Sequence, residues 1–335
     1  MDKNIKMPPK ISILTSCFNA NYFLPKAIDS ILSQTFTDFE FILIDDGSTD
    51  NTLDIIKDYQ NRDNRIITIE KKNTGLTKSL NVGLTRATGE WIARMDADDI
   101  SLPTRIEQQF QFVNEHPDIM LLGSAYFTID NKDRIIKQYR YPAEHSKIIT
   151  WIEKNGPTFP HSSAFYKRET ALQLEGYREV LNGAEDCDLW LRIGAIGKIA
   201  CLEEPLIHLR IHEDSLTAQN DNCEIFSLAG RVTHFLRKTG YADPLDMNAN
   251  KSQFFLKWIE EKLNKNRSFE LRKFNSVIRD EWHTIQNNFT LQKFWTLMLK
   301  LASLQGLVFL KYKIFGSNQA KKLAAEWLTT APDMH

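Results

Sequence analysis

Through the first half of the chain, short runs of β-branched and aromatic residues alternate with stretches whose apolar positions recur every three or four residues. "ISILTS", Ile11 to Ser16, is a brief apolar run closed by a polar turn, the pattern of a buried strand. In "YFLPKAIDSILSQTF" the side chains of Phe23, Leu24, Ala27, Ile28, Ile31 and Leu32 share one helical face. A second strand, Phe39 to Ile44, ends in Asp45 and Asp46 and a Gly-Ser-Thr-Asp turn suited to cap a helix over Thr52 to Tyr59. "RIITIE" predicts a third strand, Leu76 to Arg86 a helix, and Trp91 to Met95 a fourth strand. Ser101 and Pro103 announce a helix over "RIEQQFQFV", after which "IMLLGSAYFTI" and "RIIKQYRY" predict a hairpin added to the sheet. The alternation predicts an α/β domain with a mostly parallel central sheet and flanking helices.

After about Ser227 the pattern changes to long helical periods with few strand signals, which predicts a catalytic domain over residues 1–226 and a helical carboxyl-terminal region over 227–335. There Phe294, Leu297, Leu301, Leu304, Val308 and Phe315 follow a spacing of three and four, with Lys293, Lys300, Lys311 and Lys313 interspersed. Such a stripe packs on its own domain, pairs two copies of the chain, or lies on a membrane surface.

Composition narrows the field of partners. The 335 residues carry 42 Lys and Arg against 43 Asp and Glu, a formal net charge of −1, so no overall basic field draws in nucleic acid. Cys17, Cys187, Cys201 and Cys223 are scattered without C-x-x-C spacing, which argues against a metal knuckle or a disulfide framework and for reduced, cytoplasmic thiols. "MDKNIKMPPK" has no apolar signal core. The charge-free run Leu301 to Leu310 falls well short of the roughly 18 residues that a spanning helix needs. A cytoplasmic protein is expected, with at most peripheral contact at the inner face of the plasma membrane.

The sharpest chemical signal is "EWIARMDADDIS", where Asp96, Asp98 and Asp99 crowd the carboxyl end of the fourth predicted strand. Open α/β sheets bind ligands beyond that end of their strands. Carboxylates so close repel one another, and a hard divalent cation such as Mn²⁺ or Mg²⁺ relieves the conflict while keeping open positions for phosphate oxygens. The same acidic turn also suits the start of the following helix.

In order along the chain, "ISILTSCFN", "SILSQTFTDFEFILIDDGSTD", "NTGLTKSLNVGL", "ATGEWIARMDADD", "GAEDCDLWLRI" and "LIHLRIHEDS" resemble the family 2 glycosyltransferases, inverting enzymes of the GT-A fold, a Rossmann-like arrangement. The resemblance runs from about Lys10 to about Thr217 and implies the following assignments. Ser16 and Phe18 fall where the family lines its nucleotide pocket, and Asp46 where a uracil-like imide is bound. Arg94 and Asp96 flank base and ribose. Asp98 is the direct metal ligand, with Asp96 and Asp99 in support and His212 reaching back to the metal or diphosphate. Arg210 offers a fork of donors to phosphate. Asp186 matches the general base, although the sequence alone does not separate it from Glu185, and Glu185 and Asp188 also sit at helical spacing or near it from Arg192. His161, Glu185 and Trp190 fall in segments used near the acceptor or diphosphate. Many relatives carry an arginine immediately before the asparagine matched by Asn81; this chain has Leu80, with Lys78 two positions earlier as the available cation.

The resemblance implies a metal-dependent hexosyltransferase that moves a sugar from a nucleotide-sugar, UDP-linked, to a saccharide acceptor on a polyprenyl carrier, as in capsule, exopolysaccharide or O-antigen assembly. A sugar-phosphate nucleotidyltransferase is the alternative enzyme, yet "ILTSCFNANY" has no glycine for the phosphate loop it requires. A non-catalytic nucleotide-sugar or glycan-binding module is the third class. It leaves the base and metal positions without a purpose.

Overall fold

The computed structural model describes residues 8–213, 215, 222–265 and 319–330. Nine strands form one sheet: β1 (Ile11–Cys17), β2 (Phe39–Asp46), β3 (Ile66–Lys71), β4 (Trp91–Arg94), β5 (Ile100–Ser101), β6 (Ile119–Ile129), β7 (Ile135–Tyr139), β8 (Phe165–Lys167) and β9 (Lys198–Arg210). Their order is β3-β2-β1-β4-β8-β6-β9-β5, with β7 paired to β6. The strands β3, β2, β1 and β4 are mutually parallel, as are β6 and β9. The remaining pairings are antiparallel, β6 and β7 forming the expected hairpin.

The helices are α1 (Leu24–Leu32), α2 (Thr52–Arg62), α3 (Leu76–Arg86), α4 (Arg105–Glu115), α5 (His145–Asn155), α6 (Arg168–Gln173) and α7 (Glu185–Ile196). Side chains of α1, α2 and α4, among them Ile28, Ile31, Ile56 and Ile106, pack with Ile13, Phe41 and Leu43 on one face. Leu80 and Leu84 of α3 and Leu189 and Ile193 of α7 pack with Leu14, Ile42 and Ile44 on the other. Both faces of β2 are therefore buried. Its apolar run is continuous for that reason, where a strand wetted on one side would alternate.

β1 lies between β2 and β4, so the chain reverses its travel across the sheet there, and the loops leaving neighbouring carboxyl ends diverge to open a crevice. Asp96 to Asp99 leave β4 at that crevice. Elsewhere in the sheet β6 makes a close approach: a Cβ added to Gly123 would stand 2.1 Å from Cγ of the buried Phe159. Gly123→Ala is expected to overpack this contact by about 1–3 kcal/mol. Thermal denaturation should show a loss of several degrees, and an unchanged midpoint would mean that Phe159 yields freely.

The chain parts into two compact units, one of residues up to Ile152 with Gly156–Gly230, the other of Glu153–Asn155 with residues from Arg231 onward. In the second unit, Phe255 and Trp258 of the helical residues 249–265 meet Trp327 of the helix Gln319–Thr330, ring centroids 4.9 and 5.1 Å apart. The amphipathic stripe from Phe294 to Phe315 lies outside the described residues. Among the described residues, no helix is long and apolar enough to cross a membrane.

Candidate active site

Asp96, Asp98 and Asp99 each offer an oxygen, and these oxygens lie within 4.8 Å of one another. Cations and donors hold them together. Arg94, the last residue of β4, is buried and forms an ion pair with Asp96. Ser162 Oγ receives Arg94 Nη1 and the Asp96 N–H, each at 3.1 Å, and stands 2.7 Å from Asp96 Oδ2 and 2.5 Å from Asp99 Oδ2. Asp99 is buried, and its Oδ1 accepts the Arg210 N–H at 2.8 Å. Burial first, then the charges of Asp98 and Asp96, push its carboxyl well above the usual range. His212 Nε2 lies 2.8 Å from Asp98 Oδ2, its ring 5.2 Å from that of Phe23.

The amino end of α7 lines the same cavity as these carboxylates. Gly183, at φ +103°, turns the chain so that its N–H donates to Glu185 Oε2 at 2.6 Å. Asp186 is half-buried, and its Oδ1 accepts the Cys187 N–H at 2.7 Å. Burial raises its pKa against the opposing pull of that N–H and of Arg94. His161 places Nδ1 3.7 Å from Glu185 Oε1 and Nε2 2.9 Å from Tyr177 Oη, which lies 3.0 Å from Tyr166 Oη.

The cavity, of about 480 Å³, is lined by Asp96, Asp98 and His212 together with His161, Glu185 and Asp186. Its size suits a small organic ligand.

Several residues singled out from the sequence are placed elsewhere. Asp46 is buried because β2 continues two residues further than its apolar run predicts. Its Oδ1 accepts the Thr74 N–H and its Oδ2 the Gly75 N–H, each at 2.9 Å, and Oδ1 also pairs with Lys71. Asn81 closes a reciprocal pair with the Tyr177 backbone, giving Nδ2 to the carbonyl at 2.8 Å and taking the N–H at 2.9 Å. Lys78 is exposed, 3.5 Å from Glu179. Arg210 borders the cavity, yet its fork is engaged by the protein: Nε donates to the Asp98 carbonyl and Nη1 to the Asp130 carbonyl, each at 2.8 Å. Its Nη2 stands 2.7 Å from Asp133 Oδ1 as an ion pair without hydrogen-bond alignment, and the guanidinium sits 4.4 Å from the Phe23 ring centre. Arg210 thus fastens the Asp98 loop. Trp190 is wholly buried, edge-on to His161 at 5.6 Å, and supports that ring from the core. Ser16, half-buried, and Phe18, 52% exposed, end β1 and follow it without lining the cavity. Ser162 and Phe23 carry no sequence signal of their own, since a serine in a turn and an aromatic before a helix are common.

Residues 12–174 match the family model of glycosyl transferase family 2. The O-antigen biosynthesis glycosyltransferase WbnJ of Escherichia coli is 33% identical over 219 residues, 63% of this chain and 84% of that protein. The chain belongs to glycosyltransferase family 2. Among solved structures, this glycosyltransferase superposes on S. aureus TarS 1–349 in complex with UDP-GlcNAc with a TM-score of 0.57 at 18% identity, over 96% of this chain and 91% of that one. The mannosyltransferase PcManGT from Pyrobaculum calidifontis, in complex with GDP-Man and Mn²⁺, gives 0.56 at 16% identity, over 96% and 88%. These likenesses establish the GT-A fold expected from the sequence.

The glycosyltransferase's acidic wall fits a divalent ion. Asp96 and Asp98 keep part of their carboxylates open to the cavity, and oxygen donors with one imidazole suit Mn²⁺ or Mg²⁺. Cys17, by contrast, is a buried thiol pushed up by its burial and by Asp45, Asp96 and Asp98, so it stays protonated.

Proposed function

We propose that this glycosyltransferase moves a hexosyl group from a UDP-sugar to a hydroxyl of a saccharide acceptor with inversion, in building a surface polysaccharide on a polyprenyl carrier. One observation carries the reading: Asp186 and the acidic cluster line the same cavity. Asp98, Asp96 and His212 would hold Mn²⁺ or Mg²⁺, which offsets charge developing on the departing diphosphate. Phe18, exposed beyond β1, offers a flat face to the base.

Asp186 performs the proton transfer. The Cys187 N–H, Arg94 and the amino end of α7 favour its ionised form, which burial opposes. Its free oxygen takes the proton of the attacking hydroxyl as the new bond forms at the anomeric carbon. In a single displacement the hydroxyl attacks from the side opposite the departing diphosphate, which inverts the configuration. The O-antigen function in the name of WbnJ supports a saccharide acceptor.

Thermal shift with UDP-, GDP- and dTDP-sugars, each with and without Mn²⁺, tests the donor. A ligand at about a hundred times its Kd adds about 2.7 kcal/mol to the apparent stability of the folded state. A UDP-sugar with Mn²⁺ is expected to raise the midpoint most. A shift with GDP-sugars alone would reassign the nucleotide, and identical shifts without Mn²⁺ would remove the metal from donor binding.

A further inference from the structure

Glu185, Asp186 and Asp188 crowd the first turn of α7, and they meet three different environments. Asp188 is fully buried, held by Arg178 at 3.0 Å and Arg192 at 2.8 Å. Asp186 opens onto the cavity and has the Cys187 N–H. Glu185 is 3% exposed, and among the described residues no lysine or arginine comes within ion-pair reach of it. Its polar neighbours are the Gly183 N–H on Oε2 and the imidazole facing Oε1.

The surrounding groups bring Glu185 little compensating charge. Arg94 faces it, but the guanidinium is paired with Asp96. His161 is held neutral, its pKa driven well down by burial and then by Arg94. Tyr177 is driven well up by burial, and Cys223 is raised by burial and by Glu185 and Asp186, so both stay protonated. Asp186 adds negative charge from the adjacent position. A carboxylate buried without a cation is costly, and the usual outcome is that it takes up a proton.

Hydrogen-bond polarity agrees. If His161 Nε2–H donates to Tyr177 Oη and Tyr177 donates to Tyr166, Nδ1 is left as an acceptor turned toward Glu185 Oε1. Oε2 already accepts from Gly183, so the proton belongs on Oε1. At 3.7 Å the imidazole does not lock that proton, which is left to find an oxygen in the cavity that Glu185 lines.

We infer that Glu185 works as a neutral carboxylic acid that donates its Oε1 hydrogen to a hydroxyl oxygen of the saccharide acceptor, leaving Asp186 as the single ionised carboxylate on that wall. The inference rests on the reading of Asp186 as the base. It separates two neighbouring carboxyl groups into a donor that orients the acceptor and an acceptor of its proton.

Burial, with Asp186 second, moves the Glu185 pKa up to about 7. A carboxyl whose pKa is raised on folding contributes stability fully below its unfolded value and loses it as pH climbs through the folded value. Glu185→Gln is neutral throughout. From about pH 5.5 to about pH 8.5 the wild-type Tm is therefore expected to fall by several degrees relative to Glu185→Gln, the other titrating groups being common to both. Over the same range the ratio of kcat/KM, variant over wild type, should rise, because only the wild-type side chain loses its donor hydrogen.

Parallel Tm curves, or a ratio that stays flat or falls, would overturn the inference. If that happens while Asp186→Asn is inactive, the base assignment stands; if Glu185→Gln is inactive and Asp186→Asn turns over, Glu185 is the base and both readings fall. Should Glu185→Gln not fold, infrared spectroscopy of Asp99→Asn, which removes the other buried carboxyl raised well above the usual range, decides. A protonated-carboxyl band that vanishes between about pH 6 and about pH 8 supports the neutral acid, and its absence at the lower value overturns it.

Discussion

Asp186→Asn is expected to reduce sugar transfer about a thousand-fold, within the 10²- to 10⁴-fold range of general-base catalysis, while donor and Mn²⁺ still raise the thermal midpoint. The amide fills the same space at the start of α7 and keeps an oxygen to accept the Cys187 N–H, so the fold has no reason to change. What it cannot do is take a proton from the attacking hydroxyl. The loss should fall on kcat and kcat/KM alike, because the missing interaction exists only in the transition state. A raised KM with unchanged kcat would instead make Asp186 a binding group.

Asp98→Ala should be as damaging, for a different reason. Offsetting leaving-group charge is worth several kcal/mol; a loss of about 4 kcal/mol corresponds to about a thousand-fold in rate. The variant should also lose the Mn²⁺-dependent part of the donor's thermal shift. Hydrolysis of the donor to free nucleotide should stop with it, since departure of the diphosphate is what has become difficult. The loop itself should survive, because Arg210 grips the Asp98 backbone carbonyl and the side chain carries no part of that bond. Retained hydrolysis with Mn²⁺ dependence intact would move the metal to other ligands.

The parallel half of the sheet was legible in the sequence because each strand is a short apolar run with a helical period behind it, and the order of those signals is local information. The acidic cluster was legible for a similar reason, since its position follows from where β4 ends. What escaped was the fate of polar side chains whose partners arrive from far along the chain. Asp46 reads as an open strand-end carboxylate until Thr74 and Gly75 close on it. Asn81 reads as a ligand group until the Tyr177 backbone takes both ends of its amide. Arg210 reads as a phosphate fork until three acceptors surround it. Residue type tells what a group is able to bond; only the tertiary contact tells which bond it makes. Ser162 is the converse case, a hydroxyl without a sequence signal that the fold sets among the side chains of Arg94, Asp96 and Asp99.

The clasp between the Asp98 carbonyl and the Arg210 guanidinium spans 112 positions of chain. β9, the strand that delivers Arg210, is the last of the sheet to be synthesised and pairs in parallel with β6. During translation the amino-terminal strands therefore emerge well before the piece that secures the acidic corner beside them. A nascent chain at that stage has the early strands of a glycosyltransferase without the clasp on its acidic corner, which closes only with the final strand.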